Sequence, residues 1–309
     1  MRNAFAKEIT TLAEQDPRIV FLSGDIGNKL FDGYKEKNGS RFFNCGVAEA
    51  NMIGVASGLA LSGLRPVAYT ITPFITTRVM EQIRVDLCYH KAPAIFAGVG
   101  SGLGYASLGP THHSCEDIAM LRSLPGLTIL TPADAEEVKG CLRAALSHNG
   151  PTYIRLGKKG EQVVHSVTPQ IQIGKSLVVR KGTDVCLIVV GVLLPMALAI
   201  ADKLATHNIS VQVVSAVCLK PFDVDLIKNA FKDFSLVSTL EEHSLIGGFG
   251  SAVAEWFVDQ EDNKKYAPLL RFGTRDEFLH EAGETEHAHK YFGLEINKIS
   301  DKILKRLAK

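Results

Sequence analysis

The sequence predicts an α/β protein of two domains, each a mostly parallel sheet flanked by helices, spanning residues 1–157 and 175–309 with a linker at 158–174. Three observations carry that expectation. Short apolar runs alternate with helix-length amphipathic stretches, the pattern of parallel strands buried on both faces. The alternation stops in KKGEQVVHSVTPQIQIG (Lys158 to Gly174) and then resumes. At 309 residues the chain is long enough for two cores.

Taken in order, MRNAFAKEITTLAEQ reads as an amphipathic helix, and Arg18 to Ser23 as a buried strand entering a loop at Gly24-Asp25. Gly27 to Ser40 is rich in Gly, Asn and Lys and is expected as loop; Arg41 to Phe43 is a short strand feeding a helix that opens at Glu49 and stops at Gly63. Pro66 to Ile71 is the next strand. A helix from Thr77 to Tyr89 follows, with Val79, Ile83 and Leu87 on one face. Pro93 to Ala97 opens into the Gly-rich VGSGLGYASLGPTHH, and Leu127 to Leu130 and Thr152 to Leu156 complete six parallel strands. In the second domain, strands are expected at Val185 to Val190, Ser210 to Ser215, Leu236 to Leu240 and Leu269 to Phe272. Helices are expected after Pro195, near Asp223 to Phe231, after the glycines of Gly247 to Gly250, and from Leu294 to Lys309.

A net charge of +1, with 46% hydrophobic and 22% charged residues, is that of an ordinary soluble domain and implies no polyanionic partner. No basic run is interleaved with aromatics, which argues against nucleic acid. The N-terminus lacks a signal peptide's apolar core, and no run approaches the roughly 18 apolar residues of a membrane span. The expectation is a cytoplasmic protein without membrane contact. Its six cysteines (Cys45, Cys88, Cys115, Cys141, Cys186, Cys218) show no ligand spacing and are expected reduced.

The stretch most unlike an ordinary helix is NCGVAEANMIGVASGLALSG, Asn44 to Gly63. Ala48, Ala56 and Ala60, and Gly54, Gly58 and Ser62, recur at spacings that let another backbone approach. Glycine costs roughly 1 kcal/mol against alanine in a helix, so these need a packing reason. Glu49 stands in the first turn among Val47, Ala48, Ala50 and Met52. The ordinary role of such a glutamate is to face the positive helix end from the surface, but these neighbours leave little room for a solvated face. Elsewhere, His112 follows a Gly-rich loop and suits proton transfer near neutrality. His113 has no comparable support, and no third ligand makes the pair a metal site.

The string GVAEANMIGVASGLALSGLRPVAY, continued by GPTHHSCEDIAMLRSLPGLTILTPADAEE and LEEHSLIGGFGSAVAE, resembles the pyrimidine-binding and C-terminal domains of thiamine diphosphate enzymes of the transketolase group over nearly the whole chain. The resemblance implies that Glu49 hydrogen-bonds the cofactor's aminopyrimidine, that Phe74 stacks on it, and that His112 of the GPTH string moves protons on the donor hydroxyl. It places Arg2 and, near a second position, Lys158 where the family contacts substrate phosphate; Arg155 is expected to support the loop. The family's diphosphate and magnesium site needs a Gly-Asp-Gly motif and a later asparagine. No such motif occurs here, Gly24-Asp25-Ile26 being the nearest string. The implied protein is the C-terminal half of a split transketolase that moves a two-carbon ketol unit from a ketose to an aldehyde through a cofactor-bound carbanion. The implied assembly is a heterotetramer with an N-terminal-half partner carrying that motif and most of the hold on Mg2+, and the substrate is a small sugar or sugar phosphate.

Two departures from the family narrow the substrate. Leu108 stands where sugar-phosphate transketolases have an aspartate, and Gly98 approximates a phosphate-binding histidine. A lost acceptor disfavours an ordinary ketose by a few kcal/mol. Glu241, Glu242 and His243 could form an acid and base pair, but strand-end charges are common and a structural role is favoured. The alternatives are the beta subunit of a 2-oxo acid dehydrogenase, a synthase resembling the deoxyxylulose phosphate enzyme, and a non-catalytic scaffold.

Overall fold

Parallel strands require crossover connections long enough to hold a helix, and they bury both faces. The computed structural model describes residues 1–27, 29–261 and 265–308 and builds two such sheets. In the first, β1 (Ile19–Ser23), β2 (Phe42–Asn44), β3 (Arg65–Ile71), β4 (Ile95–Val99), β5 (Thr128–Leu130) and β6 (Thr152–Leu156) run parallel in the order β5-β6-β4-β3-β1-β2. The second contains β7 (Leu177–Arg180), β8 (Val185–Val189), β9 (Val211–Ser215), β11 (Leu236–Ser244) and β12 (Leu269–Thr274), in the order β12-β11-β8-β9-β7. Its edge strand β7 runs antiparallel to β9, and the other neighbours pair in parallel.

Alternation along the strands sorts the core. Ile19, Phe21, Val67 and Tyr69 face α1 (Arg2–Gln15) and α7 (Ala135–Ser147). Val20, Leu22 and Ala68 face α3 (Glu49–Leu61), in an apolar layer that runs on to Cys186, Ile188 and Val237 of the second sheet and to Ile227 and Phe231 of α9 (Val224–Asp233). The far side of that sheet is covered by α8 (Leu194–Ala205) and α12 (Ile296–Leu307). The predicted end of the last helix, Lys309, lies outside the described residues. No helix among those described is long and apolar enough to cross a membrane.

The structure differs from the sequence reading in several places, each with a packing reason. Gly27 to Ser40 is not all loop: α2 (Asp32–Asn38) forms there because Phe31 and Tyr34 are drawn onto Phe21, with ring centroids 4.4 and 5.4 Å away. The helix expected at Thr77 to Tyr89 is divided. After α4 (Thr72–Ile75) the chain breaks at Thr76, then passes through a 3-10 turn at Thr77–Val79, α5 (Met80–Gln82) and a π-helical turn at Ile83–Tyr89. Val79, Ile83 and Leu87 are all fully buried, since the wider π turn keeps a spacing of four on one side. The second half lends β10 (Cys218–Lys220) to the first sheet, antiparallel to β5. No helix or strand lies between Leu156 and Leu177, all of whose residues are described. Val164 and His165 of that interval donate their backbone N–H groups to Asp134, the N-cap of α7, at 2.8 Å.

A buried charge joins the sheets. Arg155 on β6 is 3% exposed; its Nε donates at 2.8 Å to Oδ2 of Asp117, which opens α6 (Asp117–Arg122), and its Nη2 donates to the carbonyls of Ser114 and Glu242 at 3.0 Å. Tyr153 adds a hydroxyl to the same carboxylate at 2.8 Å. Burial raises the Asp117 pKa, but the Arg155 charge and hydrogen bonds outweigh it, and the net shift is downward. Breaking one partner of such a pair leaves a bare buried charge, at about 3–5 kcal/mol. Arg155→Met is therefore expected to lose about that much stability, measured by urea unfolding; a loss under about 1 kcal/mol would show that the pair is not under strain from burial.

Candidate active site

Ligand sites of parallel α/β sheets form beyond the carboxyl ends of the strands, where the loops gather. That edge carries every residue singled out from the sequence for the first domain's chemistry. After β2, Asn44 Oδ1 accepts the Gly46 N–H at 2.9 Å, turning the chain into α3 with Glu49 in its first turn. Glu49 is 3% exposed, and its Oε2 accepts a hydrogen bond from Arg78 Nη1 at 3.1 Å. After β3, α4 presents Phe74; the Arg78 guanidinium lies 4.1 Å above its ring. His112 meets the same ring edge-on, centroids 5.3 Å apart at 67°.

The Gly-rich loop after β4 brings the rest. Tyr105 stands edge-on to His112 at 6.2 Å, and Lys158, just past β6, sits 4.9 Å over the Tyr105 ring. Burial raises the Tyr105 pKa, while the charge of the nearby Arg2 guanidinium opposes the shift. The Nε of Arg2 is itself buried with no hydrogen-bond partner among the described residues. So Glu49, Phe74, His112, Lys158 and Arg2, far apart in sequence, form one continuous arc, with Arg78 and Tyr105 as the links the sequence reading missed. Arg78 was legible as the residue four after Phe74, and Tyr105 as the one aromatic inside the glycine run.

The remaining candidates separate. His113 faces inward, and burial lowers its pKa. Leu108 is half exposed on a 3-10 turn at Ala106–Leu108, so no acceptor stands there. Gly98 is inside β4, where a Cβ would come within 3.0 Å of the Thr72 Cα, so the family's phosphate-binding histidine has no counterpart at this point. Glu241, Glu242 and His243 are fully buried at the end of β11 rather than in the arc. Among the described residues, no group of three or more His, Cys, Asp or Glu could hold a metal.

One face of α3 remains open. Glu49, Met52, Ile53, Ala56 and Ala60 are buried, but Val47 is 75% and Leu61 59% exposed, and a Cβ on Gly58 would touch nothing within 4 Å. The sequence reading expected a helix whose small residues let another backbone approach; within this chain the side that carries Gly58 is exposed. Its close approach within the chain is at Gly54, beside Asp86, and Ser57, which donates to the Asp86 carbonyl at 2.6 Å.

Fold and arc together define a class: a two-sheet α/β chain that presents part of a ligand site, with an open apolar helix face beside it. Residues 1–161 match the family model described as the transketolase pyrimidine binding domain, and residues 174–299 that of the transketolase C-terminal domain. The chain belongs to the transketolase family and carries its pyrimidine-binding and C-terminal domains. It is 33% identical over 300 residues to the 6-deoxy-6-sulfo-D-fructose transketolase subunit of Clostridium sp. (strain MSTE9), covering 97% of this chain and 92% of that one. Over 263 residues it is 34% identical to a subunit of the apulose-4-phosphate transketolase of Actinobacillus succinogenes, covering 84% and 83%. Among solved structures it is similar to a split-gene transketolase described as an inactive β4 tetramer, with 32% identity, a TM-score of 0.88, and 99% and 97% coverage. The family implies dependence on thiamine diphosphate.

The loop geometry is testable. Gly100 has φ +74°, and a Cβ there would lie 1.9 Å from the Tyr105 ring. Gly100→Ala combines positive-φ strain with a collision, at about 2 kcal/mol or more. The expected outcome is a lowered unfolding midpoint and a Tyr105 newly exposed to solvent in tyrosine perturbation spectra; an unchanged tyrosine signal would contradict the packing.

Proposed function

We propose that this chain supplies the proton-handling half of a thiamine diphosphate-dependent two-carbon transferase, active only with a partner. The observation that carries the reading is the buried Glu49 carboxylate joined through Arg78 to a partly exposed Phe74 ring, with His112 edge-on to the same ring. The fit to the cofactor's aminopyrimidine is chemical: a dry carboxylate can hold a ring nitrogen by one strong hydrogen bond, and an aromatic face can stack on the ring. Thiamine diphosphate, when bound, supplies an acidic carbon that becomes the nucleophile toward a ketose carbonyl. Glu49 holds the proton relay to it. His112, on a loop at the open edge, takes or returns the proton of the donor's hydroxyl.

The diphosphate and its Mg2+ are assigned to the partner, an N-terminal-half transketolase chain with a Gly-Asp-Gly motif, in a heterotetramer of two chains of each kind. The bare face of α3, with Val47, Val55, Gly58 and Leu61, is where we seat the other chain. Arg2 and Lys158 flank Tyr105 as a cationic end of the arc. With Leu108 in place of an acceptor, the donor we favour is a ketose whose far end carries a phosphate or a sulfonate. The relative named for 6-deoxy-6-sulfo-D-fructose supports that class.

Glu49→Gln in the complex with its partner is expected to lower two-carbon transfer by at least about 10³-fold, consistent with loss of a general acid and base, while co-elution persists. The assay offers 6-deoxy-6-sulfofructose and fructose 6-phosphate as donors and glyceraldehyde 3-phosphate as acceptor. A near wild-type rate would reject the assignment. Arg78 now makes both contacts given to the pyrimidine, one to the Glu49 carboxylate and one to the Phe74 face. An ion pair with one half-exposed partner contributes about 0.2–1 kcal/mol. Arg78→Met should therefore tighten thiamine diphosphate binding to the complex by up to about fivefold in calorimetry. Weaker binding would instead place the guanidinium in the bound state.

A further inference from the structure

The Glu241, Glu242 and His243 run lies outside the arc, and its members do three different things. Glu241 accepts the N–H groups of Phe249 and Gly250 at 2.8 Å, capping α10 (Phe249–Val258). His243 accepts the Ala119 N–H at Nε2 and donates from Nδ1 to the Ser244 carbonyl, so both ring nitrogens are used as in neutral imidazole. His243 thereby touches α6 of the first domain, and Glu242 reaches that domain's Gly-rich loop. Glu242 Oε2 accepts the Leu103 N–H at 3.1 Å, its Oε1 pairs with His289 of α11 (Thr285–Phe292), and its carbonyl is held by Arg155.

Leu103 lies in the middle of the Gly-rich loop, and its side chain is buried in the second domain's core with Ala106. The loop closes on itself at Gly102 and Ser114, whose N–H groups and carbonyls exchange bonds at 3.1 and 2.9 Å. Gly102 has φ +63°, and a Cβ there would come within 2.4 Å of Glu242 Oε2, so the carboxylate and the loop backbone are in direct contact. Beyond this anchor the loop runs out to Tyr105 and His112. A cavity of about 250 Å³ lies beside it, lined by Ser101, Gly104, Lys158, Glu242, Thr285 and His289.

We propose that Glu242 is a positioning residue of the site: from the C-terminal domain, paired with His289, it fixes the Gly-rich loop and thereby sets where His112 stands over Phe74. The proposal rests on the reading of His112 given above and assigns the C-terminal domain a part in the reaction beyond assembly. An amide can still accept the Leu103 N–H, whereas a methyl leaves that donor and His289 unpaired in a dry site.

The test has two readouts. In the chain itself, Glu242→Ala is expected to raise hydrogen exchange of residues 100–113 at least tenfold while the strands of both sheets exchange as before, and Glu242→Gln is expected to stay near wild type. In the complex with its partner, Glu242→Ala is expected to lower kcat at least 30-fold with thiamine diphosphate affinity unchanged, and Glu242→Gln to recover to within fivefold. Should Glu242→Ala not fold, Gly102→Ala presses on the same contact from the loop side and is expected to give the same local exchange. Unchanged loop exchange, a Gln variant as impaired as Ala, or a freed loop with undiminished kcat would each overturn the proposal. Failure of the broader reading is distinct: Glu49→Gln would then retain activity while the exchange result stood.

Discussion

The arginine at the end of β6 is the constraint on which the rest depends. Taking a guanidinium and a carboxylate out of water costs several kcal/mol each, and the pair holds only where remaining donors and acceptors are also met. Arg155 meets that condition by reaching three separate pieces of chain: Asp117 at the start of α6, the Ser114 carbonyl at the loop's neck, and the Glu242 carbonyl at the tip of β11. Each of these must be in place for the charge to be tolerated. A sheet in one domain, a loop and a strand end in the other are thereby fixed to a common point, and the arc from Glu49 to Lys158 is built on that fixed frame.

Around this frame the chain uses glycine in two different ways. On the inner side, glycine allows close contact at positions where side chains from elsewhere press on the loop, with Tyr105 over Gly100 and Glu242 against Gly102. On the outer side, α3 keeps Gly58 at a point where a Cβ would meet nothing within 4 Å among the described residues. Both follow from the absence of a Cβ, yet the first rigidifies a loop and the second leaves a face open. Apolar residues such as Val47 and Leu61 on that open face are unfavourable to leave in water, at roughly 25 cal/mol per Å², which favours covering them by another chain.

The cationic end of the arc illustrates how such a site discriminates. Arg2 and Lys158 come from the two ends of the first domain's sequence and meet only over Tyr105. In the function proposed above, an anionic substrate end would be attracted there by charge, while Leu108, half exposed on its 3-10 turn, offers no hydrogen-bond acceptor.

Much of this was legible in one dimension. Strand and helix periodicity announced two sheets, and the strings shared with the transketolase group announced the family. These features are local, so spacing alone records them. What the order of residues could not supply was everything set by chain segments meeting at a distance. The π-helical turn at Ile83–Tyr89, the return of Cys218–Lys220 to the first sheet, and Arg78 lying between Glu49 and Phe74 are of this kind. So is the separation of Glu241, Glu242 and His243 into a helix cap, a loop anchor and a backbone tie. Three adjacent side chains on a strand end point to different neighbours, and only the packing of both domains decides which neighbours those are.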